Sequence, residues 1–279
     1  MIIPENLANV KLVVSDMDGT LLNDKGQVSD QFFNIFHRLK QHNILFAAAS
    51  GRQYYSIVEK LAAIKDEIVV IAENGGITKK AAIELGSILL DHQTANDLIL
   101  LLRNIKNVEV VLCGKKQAYI ESNNQEFIDF FNEYYFKYQK VDDLTTIKDD
   151  DFFKIAVYHN QSSEDFIYPH FKHLEDQLQV KISGDYWLDL SHIDSHKGNA
   201  LKALQERLNI TPEETMVFGD FNNDLEMLAL AKFSFAMQNA HPNVKKIANY
   251  NTKSNNENGV EFMLEALLKA KATATRQKQ

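Results

Sequence analysis

Residues 11–22 read Lys11-Leu12-Val13-Val14-Ser15-Asp16-Met17-Asp18-Gly19-Thr20-Leu21-Leu22. The run Lys11–Ser15 is short, apolar and β-branched, the composition of a buried strand, and it ends abruptly on two carboxylates and a glycine. Downstream, Ser29 stands as the N-cap of a helix running to about His42, whose Phe32, Phe33, Phe36 and Leu39 keep a 3.6-residue period. Ile44–Ala49 reads as a second strand. Tyr54, Ile57, Val58 and Leu61 mark a second helix, and Ile68–Ala72 a third strand. Strands alternating with amphipathic helices over so short a stretch predict βαβ units on a parallel sheet, an α/β fold.

That pattern stops at the turn signal Glu73-Asn74-Gly75-Gly76. Beyond it, strands come in nearby pairs: Glu109–Leu112 and Gln117–Glu121 flank Gly114-Lys115-Lys116 as a hairpin, and Phe152–Tyr158 is a further strand. Helices are predicted over Thr94–Asn104, Gln125–Phe136 and Ser163–Leu178. From Lys197 the first pattern returns, with helix Gly198–Leu208, strand Thr215–Gly219, helix Asp224–Ala231, strand Phe233–Ala236 and a last helix Val260–Ala272. The expected organisation is a core made of residues 1–82 and 191–279, interrupted by an α+β domain at 83–190. The polar tail from Lys271 to Gln279 is expected to fray.

The 279 residues are 45% hydrophobic and 24% charged, which fits a globular chain and not a disordered one. A single cysteine, Cys113, rules out an internal disulfide and any zinc site built on several cysteines. The formal charge of −8 argues against a nucleic-acid-binding face. The N-terminus lacks a basic segment followed by a long apolar core, so it does not read as a signal peptide, and no apolar run approaches the ~20 residues that span a bilayer. A cytoplasmic protein with no membrane partner is expected.

Chemistry concentrates where the α/β strands end. The first runs into Asp16 and Asp18, the second into Ser50-Gly51-Arg52, and Thr215–Gly219 into Asp220-Phe221-Asn222-Asn223-Asp224. In an open parallel sheet, ligands sit beyond the carboxyl ends of the strands, so four carboxylates and a hydroxyl are expected at one edge. Their mutual repulsion calls for a cation. Oxygen donors suit Mg²⁺, which also binds substrate phosphate oxygens. A phosphate needs fixed donors as well, and Lys197 at the start of a helix supplies a cation beside an anion site. A calcium loop is excluded, because Gly19 is fourth from Asp16 instead of sixth and Gln27 stands where that loop needs glutamate.

The stretch Asp16–Leu22, Ser50-Gly51-Arg52, Lys197-Gly198 and Gly219-Asp220-x-x-Asn223-Asp224 resembles the four motifs of the haloacid-dehalogenase-type phosphatases. Glu73-Asn74-Gly75, the position of the insert and Phe235-Ala236-Met237-x-Asn239-Ala240 resemble the Cof-type branch of that superfamily; within it, Ala48-Ala49-Ser50-Gly51 with Gln53-Tyr54-Tyr55, and Cys113-Gly114 with Ala118-Tyr119, resemble the bacterial sugar phosphatases. The resemblance covers nearly the whole chain and implies a Rossmann-like parallel-sheet core with an inserted α+β cap. It implies Asp16 as nucleophile and Asp18 as general acid and base. It also implies a Mg²⁺ site from Asp16, the Asp18 carbonyl, Asp220 and Asp224, and phosphoryl contacts from Met17, Ser50, Gly51, Lys197 and Asn223. Phe221 and Gln238 depart from the family, which commonly has a small residue or glycine there.

The cap is expected to select the substrate, with Arg52, Cys113, Gly114, Tyr119, Lys154 and Trp187 in its loop Gly184–Trp187 as candidates. The expected partner is a small phosphorylated metabolite, sugar phosphates first, and the expected assembly a monomer or weak homodimer. A phosphatase of nucleotides or flavin mononucleotide, a phosphomutase, and a receiver-like phospho-acceptor remain as alternatives. No Gly-x-Gly-x-x-Gly supports dinucleotide binding.

Overall fold

The computed structural model describes residues 2–277. Among them the strands are β1 (Leu12–Asp16), β2 (Leu45–Ala49), β3 (Val69–Ala72), β4 (Ile77–Lys80), β5 (Ile83–Ser87), β6 (Val108–Gly114), β7 (Ala118–Ile120), β8 (Tyr138–Lys140), β9 (Phe152–His159), β10 (Leu178–Ile182), β11 (Trp187–His192), β12 (Thr215–Gly219), β13 (Phe233–Ala236) and β14 (Tyr250–Asn251). They form an eight-stranded sheet in the order β14-β13-β12-β1-β2-β3-β4-β5 and a six-stranded sheet in the order β10-β11-β9-β6-β7-β8.

Strands β14 through β3 of the larger sheet are all parallel. Every residue of β1 is buried, as a central parallel strand covered by helices on both faces requires. The helix Asp30–Gln41 shows why that cover forms. The Ser29 side chain accepts a hydrogen bond from the Phe32 amide at 3.1 Å, fixing the start of the helix. Its buried Phe32 then meets Phe46 of β2 edge-on at 5.0 Å. The smaller sheet is antiparallel except for the β7–β8 pair. Helices His92–Leu102 and Gln125–Phe131 each bring buried apolar residues to it, on opposite faces.

Several sequence expectations need correction. Strand β5 pairs antiparallel with β4, so the chain leaves the larger sheet after Ser87 and not at the expected 82/83 boundary. Similarly β11 stays in the smaller sheet to His192, past the expected 190. The helix expected over Ser163–Leu178 is broken into Ser163–Phe166, Tyr168–Phe171 and a 3₁₀ turn at Lys172–Leu174. Pro169 removes a backbone donor from the middle of that stretch. The helix from Gln125 stops at Phe131, short of Phe136, and the one expected over Asp224–Ala231 is reduced to Leu225–Leu228. The last helix runs Gly259–Gln277, so the residues expected to fray from Lys271 are helical as far as they are described; Lys278 and Gln279 lie outside the described residues. No helix among the described residues is long and apolar enough to cross a membrane.

Candidate active site

β1, β2 and β12 lie side by side, and their carboxyl ends set the site. Asp16 is the last residue of β1, Ser50 follows β2 and Asp220 follows β12. Asp16, Asp220 and Asp224 each offer an oxygen, and the three oxygens lie within 4.8 Å of one another. Lys197, the first residue of helix Lys197–Leu208, is wholly buried beneath them. Its Nζ donates to Asp16 Oδ1 at 2.6 Å and to Asp224 Oδ1 at 2.8 Å. The other Asp224 oxygen accepts from the backbone amides of Asp220 and Phe221, at 2.9 and 3.1 Å, which fixes the turn that carries Asp220. Thr20 Oγ1 donates to Asp220 Oδ1 at 3.0 Å.

Gly19 lets the two loops come this close. Its φ is +74°, and a Cβ there would fall 2.3 Å from Asp220 Oδ2. One ammonium does not balance the carboxylates around it. Burial pushes Asp16 up to about 7 against the pull of Lys197, with Asp224 and Asp18 adding to the rise. Burial, Asp16 and Asp224 push Asp220 well above the ordinary carboxylate range. Carboxyls whose ionisation is opposed by burial and by one another are a fitting donor set for a hard divalent cation, which favours their ionised form.

Above this floor opens a cleft of about 380 Å³. Asp18, Ser50, Gly51 and Asn223 reach it from the larger sheet, and Lys154 and Trp187 from the smaller one. Met17 is fully buried, and Lys197 and Asp224 lie beneath the cleft floor. The smaller sheet is in direct contact with the loops of the larger: Lys154 Nζ donates to the Gly51 carbonyl at 2.8 Å and to Asp189 Oδ2 at 3.0 Å. Gln53 exchanges two hydrogen bonds with the Lys137 backbone, at 2.8 and 3.1 Å.

Three of the expected specificity residues do not line the cleft. Tyr119 packs on the face of the smaller sheet opposite Lys154, where its hydroxyl donates to Asp150 Oδ2 at 3.0 Å. A Cβ on Gly114 would meet the same Asp150 at 2.3 Å. Cys113 shares the Lys154 face but is covered, with its Sγ 3.3 Å from the Tyr135 hydroxyl. Of the two departures from the family pattern, Phe221 lines the cleft and packs edge-on against His241 at 5.7 Å, whereas Gln238 is exposed.

Residues to which the sequence assigns no site role complete the site, together with Tyr186 of the expected loop Gly184–Trp187. Phe130, Tyr134, Tyr135 and Tyr186 form an aromatic wall with Trp187, and Phe130 stacks on the indole at 6.1 Å. Glu73 and Asn74, both with positive φ, sit where the sheets meet. Asn74 donates to Asp189 Oδ2 and accepts from Asn223 Nδ2 at 3.0 Å. Glu73 Oε2 lies 3.3 Å from Lys154 Nζ without a well-directed hydrogen bond.

Burial pushes Glu73 from its ordinary 4.5 up to about 7, against Lys154 and with Asp189. The folded chain therefore keeps a proton that the unfolded chain releases. Stability from this group is present below about pH 4.5 and is lost as pH rises to about 7. Glu73→Gln is expected to flatten the slope of stability between about pH 5 and 7 and to gain on the order of 1–2 kcal/mol at pH 8. Denaturant unfolding of both proteins at several pH values checks this, and parallel slopes would refute it.

The sequence profile of the haloacid dehalogenase-like hydrolases matches residues 13–264. The chain is 33% identical over 270 residues to the 5-amino-6-(5-phospho-D-ribitylamino)uracil phosphatase YbjI of Escherichia coli K12, covering 95% of this chain and 98% of that protein. It is 28% identical over 291 residues to the phosphatase YwpJ of Bacillus subtilis 168, covering 93% of this chain and all of that one (100%). The crystal structure of SMU.1108c from Streptococcus mutans UA159 superposes with a TM-score of 0.86 at 30% identity, covering 93% of this chain and 99% of that one.

Proposed function

The chain belongs to the haloacid dehalogenase-like hydrolases, in their Cof-type branch, and is a phosphoric monoester hydrolase; we propose that it is Mg²⁺-dependent, works through an aspartyl-phosphate on Asp16, and takes sugar phosphates as substrates. The observation that carries this reading is the convergence of Asp16, Asp220 and Asp224 over buried Lys197, at the floor of a cleft roofed by a second sheet.

In this reading an Asp16 oxygen attacks phosphorus and the bond from phosphorus to the leaving oxygen breaks. Asp18, at the cleft surface, gives its proton to the departing alkoxide. It then takes a proton from water, whose oxygen attacks the acyl phosphate and releases inorganic phosphate and the Asp16 carboxylate. Ser50, the Met17 and Gly51 amides, Asn223 and Lys197 hold the phosphoryl oxygens, where charge accumulates. Asp16, the Asp18 carbonyl, Asp220 and Asp224 would hold Mg²⁺, which would supply positive charge to offset the repulsion between the nucleophile and the incoming dianion.

Residues up to Ser87 and after His192 act as the core, and the segment between them as a cap that opens to admit substrate. The bonds from Lys154, Arg52, Gln53 and Asn74 across the junction are among those that opening breaks. Cap closure leaves room for a leaving group of sugar size, since small-molecule sites begin at roughly 300 Å³.

A second substrate reading has its own support. The wall of Phe130, Tyr134, Tyr186 and Trp187 offers stacking surface that a sugar does not need and a planar ring uses. A phosphate on a polyol arm that ends in a heteroaromatic ring, as in the named substrate of YbjI, fits that wall. Phosphate release across hexose phosphates, 5-amino-6-(5-phospho-D-ribitylamino)uracil, flavin mononucleotide and nucleotides, with and without Mg²⁺, tests both readings. Highest kcat/KM on hexose phosphates supports the first, and on the ribityl compound the second. Dominance of nucleotides overturns both substrate assignments, and isomerised product without free phosphate overturns hydrolysis.

A further inference from the structure

Asp18 is the exposed member of the acidic group, yet its carboxylate is not free to turn. Arg52 Nε donates to Asp18 Oδ2 at 2.7 Å and Nη2 to Oδ1 at 2.6 Å, a two-pronged pair in which the arginine is 7% exposed and the aspartate 45%. Such a fork fixes the plane of the carboxylate as well as its position. Two further contacts of Arg52, to the Glu133 carbonyl and the Tyr134 ring, reach across to the smaller sheet's side of the cleft, while Ser56 braces it from its own side. Nη1 donates to the Glu133 carbonyl, and to Ser56 Oγ at 3.3 Å. The Tyr134 ring lies over the guanidinium, 4.5 Å from Cζ to centroid. One planar head thus joins the proton-transfer group to the segment that roofs the cleft.

We propose that Arg52 is a positioning residue for the proton-transfer step, holding Asp18 in the orientation from which it serves the leaving oxygen. This inference rests on the phosphatase reading above. Lysine cannot replace it: an ammonium has no fork for two carboxylate oxygens and no flat face for Tyr134.

A leaving group's need for a proton separates this role from phosphate binding and from simple support of the fold. An alkyl phosphomonoester must be protonated as it departs, whereas p-nitrophenyl phosphate releases an anion that is stable unprotonated. The constant kcat/KM covers every step through that departure. In Arg52→Lys and Arg52→Gln, kcat/KM for an alkyl phosphate is expected to fall about 100-fold and for p-nitrophenyl phosphate less than about fivefold. In an Asp18→Asn background, Arg52→Gln is expected to add less than about twofold to the loss on the alkyl ester, because the group it positions is gone.

Thermal unfolding of both single variants accompanies the kinetics, and the two replacements guard against one failing to fold. Equal losses on the two esters, or full additivity with Asp18→Asn, overturn the positioning role while leaving the phosphatase reading intact. Recovery of alkyl-ester kcat/KM by Arg52→Lys also overturns it, since charge alone would then suffice. A wild-type protein that releases phosphate from neither ester overturns the phosphatase reading and this role together.

Discussion

Asp16→Asn is expected to abolish phosphate release while leaving the fold intact. The side chain closes β1, is 5% exposed and accepts from Lys197 Nζ at 2.6 Å. An amide keeps the shape and can still accept that hydrogen bond, but it does not form an acyl phosphate. The expected loss of kcat is on the order of 10⁴-fold or more, as for nucleophiles that act as part of a unit. Stability is expected to hold or to rise slightly above pH 7. The native carboxyl sits at about 7 because burial and two neighbouring carboxylates oppose its ionisation, and asparagine removes that opposition. Lys197 keeps Asp224 at 2.8 Å as its counter-charge. Phosphate release and thermal unfolding measured on one preparation check both halves. Wild-type turnover by a folded Asp16→Asn protein would remove Asp16 from the chemistry.

What made Asp16 legible in the sequence is local. A short, β-branched apolar run followed by a glycine turn reads as a buried strand, and an acid at the end of such a strand falls at the sheet edge. Ser29 is legible for the same reason, since a cap acts on an amide three residues away. The β4–β5 hairpin lacked such a signal: Thr78-Lys79-Lys80 and Ile83-Glu84 form the outer strands of the larger sheet, and their polar composition reads as a loop. The failed helix after Ser163 shows the converse, an apolar spacing of the right period interrupted by Pro169.

The cap side of the site was the least legible part. Asp189 is one residue in an alternating strand, and nothing around it in sequence tells that Asn74 and Lys154 converge on it from 115 and 35 residues away. Lys154 and Tyr119 were indistinguishable as candidates, because a two-residue period assigns side chains to faces without saying which face meets the other domain. Tertiary structure decides that: Lys154 turns toward the Gly51 carbonyl, and Tyr119 into the cluster with Leu98 and Ile155.

Stripping divalent cations is expected to silence the enzyme, and Mg²⁺ is expected to raise its thermal stability. Three carboxylate oxygens within 4.8 Å of one another, around a lysine already shared between Asp16 and Asp224, leave charge to be neutralised. Asp220 feels it, being pushed well above its ordinary range by burial and by both neighbours. A cation that ionises Asp220 binds the folded chain and not the unfolded one. At a free concentration of about 100 times Kd it would stabilise the fold by about 2.7 kcal/mol. Asp220→Asn removes one ligand and leaves the Thr20 contact an acceptor, so it is expected to fold. It is expected to lose most of both the activity and the Mg²⁺-dependent rise in unfolding temperature. The two readouts separate a structural from a catalytic failure. A rate that survives exhaustive chelation, or an unfolding temperature indifferent to Mg²⁺ in the native chain, would leave the acidic cluster without a metal. The repulsion among Asp16, Asp220 and Asp224 would then have to be met by protons alone, at the cost of an ionised nucleophile at neutral pH.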